Sequence, residues 1–455
     1  MNPEKLKSSS LCIHPWSHLA INPNGDVVPC CHQRGSNPTI LGNVKEDSVD
    51  DIFNGEKMKK LRKDMLNGIL PADTCHKCIN YENLGIKSPR QWAFHNEYSN
   101  KVVEAIKNTS PDGTFDDYKI RYWDLRFSNI CNMTCVMCSP EFSSRWTQES
   151  KKIYNSMTSE KAKKDVLSGL VLGENVLENE KVVNVNDQIK WVDQGIHDVQ
   201  KIYFAGGEPL IMDAHWYILE QLDKLNRHDV ELKYNTNLLK LDYKGKNAID
   251  YWKKWSKRKL LVENSLDESG ARAEWIRYGT DWNIVSDNVR KLVDGNIRCL
   301  PIISIGCYNI FRLPEIYKEF EELYKGNNER FAPRFNPVFS KAWSIQVLPD
   351  DFKRSIKKKI KRFEKSNNIH NPQLLKVFYA ELDKPHDPSA LKGFLRKSAL
   401  LDCSRGTSVF KAIPELEFLN TIGNNLYDKT KELFYANSTI KEEDNVRKME
   451  ESVDC

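Results

Sequence analysis

The sequence predicts an α/β protein built from βα units around a parallel sheet, with a small cysteine-bearing module before them and a helical region after them. Three observations carry this expectation. Strand-like and helix-like segments alternate between about residues 116 and 350. Eight of the 12 cysteines fall into two sets within the first third of the chain. From residue 351 onward the chain is charged, with apolar residues at helical spacing.

At 455 residues and 52.8 kDa the chain exceeds what one hydrophobic core fills, so two or three domains are expected. It is 40% hydrophobic and 29% charged with a mean hydropathy of −0.60, a soluble globular balance that argues against a disordered or membrane-embedded polymer. No apolar run approaches the roughly 20 residues that span a bilayer. The start, Met1 to Ser8, has charges with no apolar stretch to follow, so it does not read as a secretory signal and a cytoplasmic protein is expected. The net charge of +5 is small for this length and supports neither a nucleic-acid nor a membrane partner. In a reducing compartment, clustered thiols bind metal or do redox chemistry more often than they form disulfides.

Along the chain, Cys12-Ile-His-Pro-Trp16 opens the first cysteine set, and Pro23-Asn24-Gly25 between two apolar runs signals a hairpin turn. Such a hairpin brings Cys12 near Cys30 or Cys31. The pair Cys75-His-Lys-Cys78 then closes a four-thiolate site, which by spacing alone fits either zinc or an iron–sulfur cluster. Residues 43 to 70 carry apolar residues at helical spacing and stop at Gly68, predicting a helix that joins the hairpin to the pair. Residues 91–115 read as a linker helix ending in the turn Ser110-Pro-Asp-Gly113, with a domain boundary near 115.

Tyr122-Trp-Asp-Leu-Arg-Phe127 reads as a strand, followed on a loop by Cys131-Asn-Met-Thr-Cys135-Val-Met-Cys138. Three sulfurs in so short a span can wrap one face of an iron–sulfur cube and leave one iron without a protein ligand. A zinc site completed from elsewhere, or merely buried thiols, are the other readings of the same spacing. Further strands are expected at Lys201–Phe204, Glu231–Asn235, Leu260–Ser265, Leu300–Ile305 and Ser344–Leu348. The polar stretch 157–196 is longer than a crossover helix needs and reads as an insertion. In the helical extension, 351–455, Asp402-Cys403-Ser-Arg405-Gly and Ile413-Pro-Glu-Leu416 are the landmarks.

The three-cysteine loop Cys131/Cys135/Cys138 resembles the signature of radical S-adenosylmethionine (SAM) enzymes. The resemblance implies a partial (βα)6 TIM-type barrel over 116–350 and a [4Fe-4S] cluster whose open iron binds SAM. One departure is Met137, where the family usually has an aromatic residue; a thioether can still lie against an adenine ring. Cys12, Gly25 with Cys30 five residues on, and Cys75-x-x-Cys78 resemble the twitch module, a shortened relative of the SPASM domain that binds an auxiliary [4Fe-4S] cluster. Here it occupies residues 1–90 and precedes the barrel, as in radical SAM proteins with an N-terminal twitch module. Glu82, Gly85, Ser88 and Arg90 continue that likeness.

Ala205-Gly206-Gly207-Glu208-Pro209 follows a strand, where glycines let the backbone approach a ligand and a carboxylate can accept from an ammonium. It resembles the family's Gly-Gly-Glu-Pro motif, which implies that Glu208 orients the SAM amino group. Thr236 and Asn237 end the third strand, Ser265 and Asp267 the fourth and Asn309 the fifth, all polar groups able to reach SAM or to cap the backbone. His14, His18 and His32 stand beside the first cysteine set, where polar support of a cluster is the expected role. Cys299, Cys307, Cys403 and Cys455 read as ordinary thiols. By analogy with such enzymes the expected partners are SAM, a peptide or protein substrate, and an electron donor of flavodoxin or ferredoxin type. A non-catalytic iron–sulfur electron-transfer or sensor protein and a zinc-stabilised binding module are the competing classes, and neither needs the motif at Gly206–Glu208.

Overall fold

In a computed structural model, residues 10–30, 33, 38–95, 104–116, 119–170, 192–326, 331–367, 369 and 375–443 are described. They form an α/β protein with a mostly parallel sheet and divide into two compact units. One gathers the described residues up to Asn129, those from 192 to Thr236, and Leu241–Val262; the other gathers those from Ile130 to 170, Asn237–Lys240, and those from Glu263 on. Among the described residues no helix is long and apolar enough to cross a membrane.

The first unit begins with the hairpin β1 (His18–Ile21) and β2 (Asp26–Val28), whose turn carries Gly25 at φ +92°. β3 (Gly42–Asn43) pairs antiparallel with β2. On its other edge β1 runs parallel to β4 (Tyr122–Leu125), with His18 opposite Tyr122, so pairing continues across residue 115, where the sequence places a boundary. β4 pairs in parallel with β6 (Lys201–Phe204), and β6 with β7 (Glu231–Thr236). Lys201 and Glu231 stand opposite each other in that register and form an ion pair at 2.6 Å. A short hairpin, β8 (Asp242–Tyr243) with β9 (Lys246–Asn247), leads towards β10 (Leu260–Ser265).

Residues 43 to 70 do not make one helix. Ser48 caps Val49–Phe53, its hydroxyl accepting from the Asp51 N–H, and Asn54-Gly55 interrupts the chain before Glu56–Leu66 begins. The apolar spacing carries across the break because both helices face one core of Leu11, Trp16, Ile52, Phe53, Met58 and Leu61. Arg62 locks this module. Fully buried, it donates to the carbonyls of Pro15, Phe53 and Gly113 and to Asn54 Oδ1, and its guanidinium lies 4.3 Å from the Phe53 ring centre.

In the second unit β5 (Thr134–Cys135) pairs antiparallel with β11 (Arg277–Tyr278). β12 (Cys299–Ile305) runs parallel to β13 (Arg334–Pro337). The strand expected at Ser344–Leu348 is instead a 3-10 turn, Ile345–Val347, and β13 takes the sixth strand's place. Alternation misleads at Ser344–Leu348 because Ile345, Val347 and Leu348 are all buried. Prolines at 333 and 337 mask the true strand. The C-terminal region is helical over Asp350–Ser366, Leu375–Asp383, Pro388–Arg405 and Leu426–Ala436. Helix Glu160–Leu170 starts the insertion, and residues 171–191 of it lie outside the described residues.

Replacing Arg62 with Met leaves at least three buried carbonyls without a donor, so thermal denaturation should show a loss of about 3 kcal/mol or more of stability.

Candidate functional site

In the first unit, Cys12 lies just before the short helix His14–Ser17, Cys30 just after β2, and Cys75 and Cys78 one turn apart on the helix Ala72–Asn83. All four line one cavity with His14, Pro15, Leu61, Met65 and Arg90. Cys31 and His32 lie outside the described residues. Burial raises the Cys12 thiol and pushes Cys75 up to about 12, so each resists becoming the thiolate that a metal needs. The surroundings answer part of that cost: the His14 N–H donates to Cys12, and the Arg90 N–H to Cys78. The Arg90 guanidinium donates to the Leu11 carbonyl at 2.9 Å and pairs with Glu82, which also accepts from the Ser88 hydroxyl. Four soft sulfur donors on one cavity beside a buried cation fit a thiolate-ligated group. Among the described residues no three His, Cys, Asp or Glu side chains are gathered closely enough for a single ion.

His14 and His18 have their ring centres 4.7 Å apart, and His18 lies 4.3 Å from the Tyr122 ring. Burial lowers His18 to about 4 and keeps it neutral at physiological pH.

The same unit holds the glycine motif where the chain leaves β6. Gly206 has φ +110°, and a Cβ there would come within 3.0 Å of Arg126 Cβ, so only glycine fits. The Gly207 N–H donates to the Ser128 carbonyl at 3.2 Å. Glu208 is buried; one carboxylate oxygen accepts from the Leu210 N–H at 3.2 Å, at the start of the 3-10 turn Pro209–Ile211, and from Thr236 Oγ1 at 2.7 Å. Against Gly206, Arg126 forms a fully buried bidentate pair with Asp124 at 3.1 and 3.2 Å, two residues that no motif marks.

In the second unit the loop Cys131–Cys138 is held at nearly every residue. Asn237 Nδ2 donates to Asn132 Oδ1 at 2.7 Å, Ser143 Oγ to the Met133 carbonyl at 2.6 Å, and Trp146 Nε1 to the Cys135 carbonyl at 3.0 Å. The Cys138 N–H closes a turn on the Cys135 carbonyl. Gly279, at φ +102°, lies against Asn132, whose carbonyl oxygen would be 2.8 Å from an added Cβ. Arg405 Nη2 donates to the Thr134 carbonyl at 3.0 Å, and its guanidinium pairs with Glu149. Burial raises the Cys135 thiol; Arg277, whose Nη1 is 3.7 Å from Cys135 Sγ, pulls it back down. Cys131, Met137 and Cys138 are half-buried. Three sulfurs on one clamped loop fit a group that needs three thiolates.

Other expected residues have firm partners in this unit. Asp267 is buried, with Oδ1 accepting from the Ser304 N–H at 2.6 Å and Oδ2 2.8 Å from Arg277 Nε. Asn309 Nδ2 donates to the carbonyls of Asp267 and Ser304, and its Oδ1 accepts from the Gly306 N–H. Ser265 ends β10 half-buried. Cys299, Cys307 and Cys403 are buried, and Cys455 lies outside the described residues. Arg277, Trp146 and Glu149 belong to no sequence motif, and of these supporting side chains only Arg405 falls in a landmark stretch, Asp402-Cys403-Ser-Arg405-Gly.

Residues 12–79, which include Cys12, Cys30, Cys75 and Cys78, match the family model of SPASM, an iron-sulfur cluster-binding domain. With the loop Cys131/Cys135/Cys138, the chain resembles the radical SAM enzymes that carry such modules. Among solved structures, it is similar to Streptococcus suis SuiB bound to precursor peptide SuiA, at 12% identity and a TM-score of 0.37, over 84% of this chain and 82% of that one. It is also similar to anSMEcpe with bound AdoMet, at 14% identity and a TM-score of 0.32, over 66% of this chain and 58% of that chain's length. No curated protein matches the sequence.

Gly279→Ala should strain the backbone and displace Asn132, lowering stability by about 1–3 kcal/mol. Differential scanning calorimetry measures the loss, and iodoacetamide should label Cys135 faster than in the parent.

Proposed function

We propose that the protein is a radical SAM enzyme acting on a peptide or protein, with an auxiliary iron–sulfur cluster in its N-terminal module. The observation that supports this most is the clamped loop of Cys131, Cys135 and Cys138, in a chain whose residues 12–79 match an iron-sulfur cluster-binding domain. In this reading those three cysteines hold a [4Fe-4S] cluster, and Cys12, Cys30, Cys75 and Cys78 hold the second. Held by these cysteines, a cluster open at one iron would supply the electron that cleaves SAM to methionine and a 5′-deoxyadenosyl radical able to abstract hydrogen from the substrate. Glu208, oriented by Thr236 and the Leu210 N–H, would accept from the SAM amino group. Gly206 lets the chain pass against Arg126, where no Cβ fits, and so shapes the turn that carries Glu208. Asn237 fixes the loop through Asn132, while Asp267 and Asn309 hold the strand ends in shape. A flavodoxin or ferredoxin in the cytoplasm serves as the electron donor.

Anaerobic reconstitution should give about eight iron per chain, falling to about four when Cys75 and Cys78 are both changed to Ala. With SAM and dithionite the parent should release 5′-deoxyadenosine, and Cys135→Ala should reduce this to background. Equal release by the two proteins overturns the proposal.

A further inference from the structure

We infer that Arg277 is a positioning residue that sets the reduction potential of the cluster held at Cys131, Cys135 and Cys138; the inference rests on the function proposed above. Antiparallel pairing puts Arg277 opposite Cys135, so the backbone itself aims the guanidinium at the sulfur. Nη1 lies 3.7 Å from Cys135 Sγ, and among the described residues Arg277 is the one side chain that hydrogen-bonds this thiol. Nε lies 2.8 Å from the wholly buried Asp267, whose other oxygen is fixed by the Ser304 N–H. The guanidinium therefore has a single place to be. Arg405 adds positive charge nearby, but its hydrogen bond goes to the Thr134 carbonyl.

Reduction adds a negative charge to a thiolate-ligated cluster, and its potential follows net charge, hydrogen bonds to sulfur and solvent exposure. A mostly enclosed cation, 12% exposed, beside one ligand sulfur favours the reduced state, because solvent screens it only in part. Asp267 acts in both directions: it holds the guanidinium in place and weakens its field at the sulfur. Removing the cation and neutralising the carboxylate must then move the potential in opposite directions. A purely structural role for the pair would give no such opposition.

The test uses full-length protein reconstituted anaerobically with iron and sulfide, titrated potentiometrically with detection by electron paramagnetic resonance. Only the signal that changes on adding SAM is followed, which separates this cluster from the auxiliary one. Arg277→Met should lower the potential by at least a tenfold change in the reduction equilibrium, about 59 mV for one electron. Arg277→Lys should recover at least half of that shift, and Asp267→Asn should raise the potential, with iron content equal to the parent's. An unmoved potential in loaded Arg277→Met, or a downward shift in both it and Asp267→Asn, overturns the inference alone. If Arg277→Met takes up no iron, Asp267→Asn decides: an upward shift supports the inference, and no shift or a downward one overturns it. A parent protein without any SAM-sensitive signal overturns the proposed function and this inference together.

Discussion

A cysteine binds iron only as a thiolate, and both cysteine sets of this protein lie where burial opposes that charge. Much of the surrounding structure answers that conflict. Each set is accompanied by an arginine with little exposed surface, and each arginine is held by a carboxylate: Arg90 by Glu82, Arg277 by Asp267. A lone guanidinium in the interior would be as costly as a lone thiolate, so carboxylate and sulfur together make its burial tolerable.

Geometry matters as much as charge. A loop of three cysteines has no regular backbone pairing of its own beyond the two residues of β5. It is shaped instead by groups from distant parts of the second unit: Trp146 and Ser143 from one helix and its cap, Asn237 after β7, Gly279 after β11, and Arg405 at the end of helix Pro388–Arg405. That last helix is itself anchored through Asp402, whose carboxylate accepts from Trp275 Nε1, Thr407 Oγ1, the Val409 N–H and the Tyr427 hydroxyl. The helical extension is thus part of the scaffold of the cysteine loop, where the sequence alone showed only a charged helical tail.

The strands at 122–125, 201–204, 231–236, 260–265 and 299–305 were legible because Tyr, Phe, Val and Ile mark them against charged helices. Pro23-Asn24-Gly25 announced its hairpin for a local reason too, since the turn needs a positive φ. What the sequence hid was non-local. Nothing in His18–Ile21 says that it will run parallel to Tyr122–Leu125, and the break at Asn54-Gly55 is invisible when both helices share one apolar face. Arg277 sits 142 residues from Cys135, and Arg405 sits 271 from Thr134. Motif spacing found the sulfurs because they lie in short stretches, whereas the cations that oppose the effect of burial on those thiols come from elsewhere in the chain. Asp267 shows the same limit from the other side: a polar residue at a strand end reads as a ligand contact, yet its partners are Arg277 and a backbone N–H.

The two arginine–carboxylate pairs differ in a way that bears on how each thiolate is tuned. At the N-terminal cavity the Arg90 side chain is 5% exposed but Glu82 is 21% exposed, so water reaches the carboxylate and screens it. The field that Arg90 places on Cys12, Cys75 and Cys78 is then only partly cancelled by its partner. At Cys135 the order is reversed: the Arg277 side chain is 12% exposed while Asp267 is sealed at 0%. Here the carboxylate is sealed from solvent, and it opposes Arg277 at the sulfur. Because the two partners oppose each other at the sulfur, its position relative to both decides the balance, and the loop carrying Cys135 is gripped by several separate hydrogen bonds that fix that position.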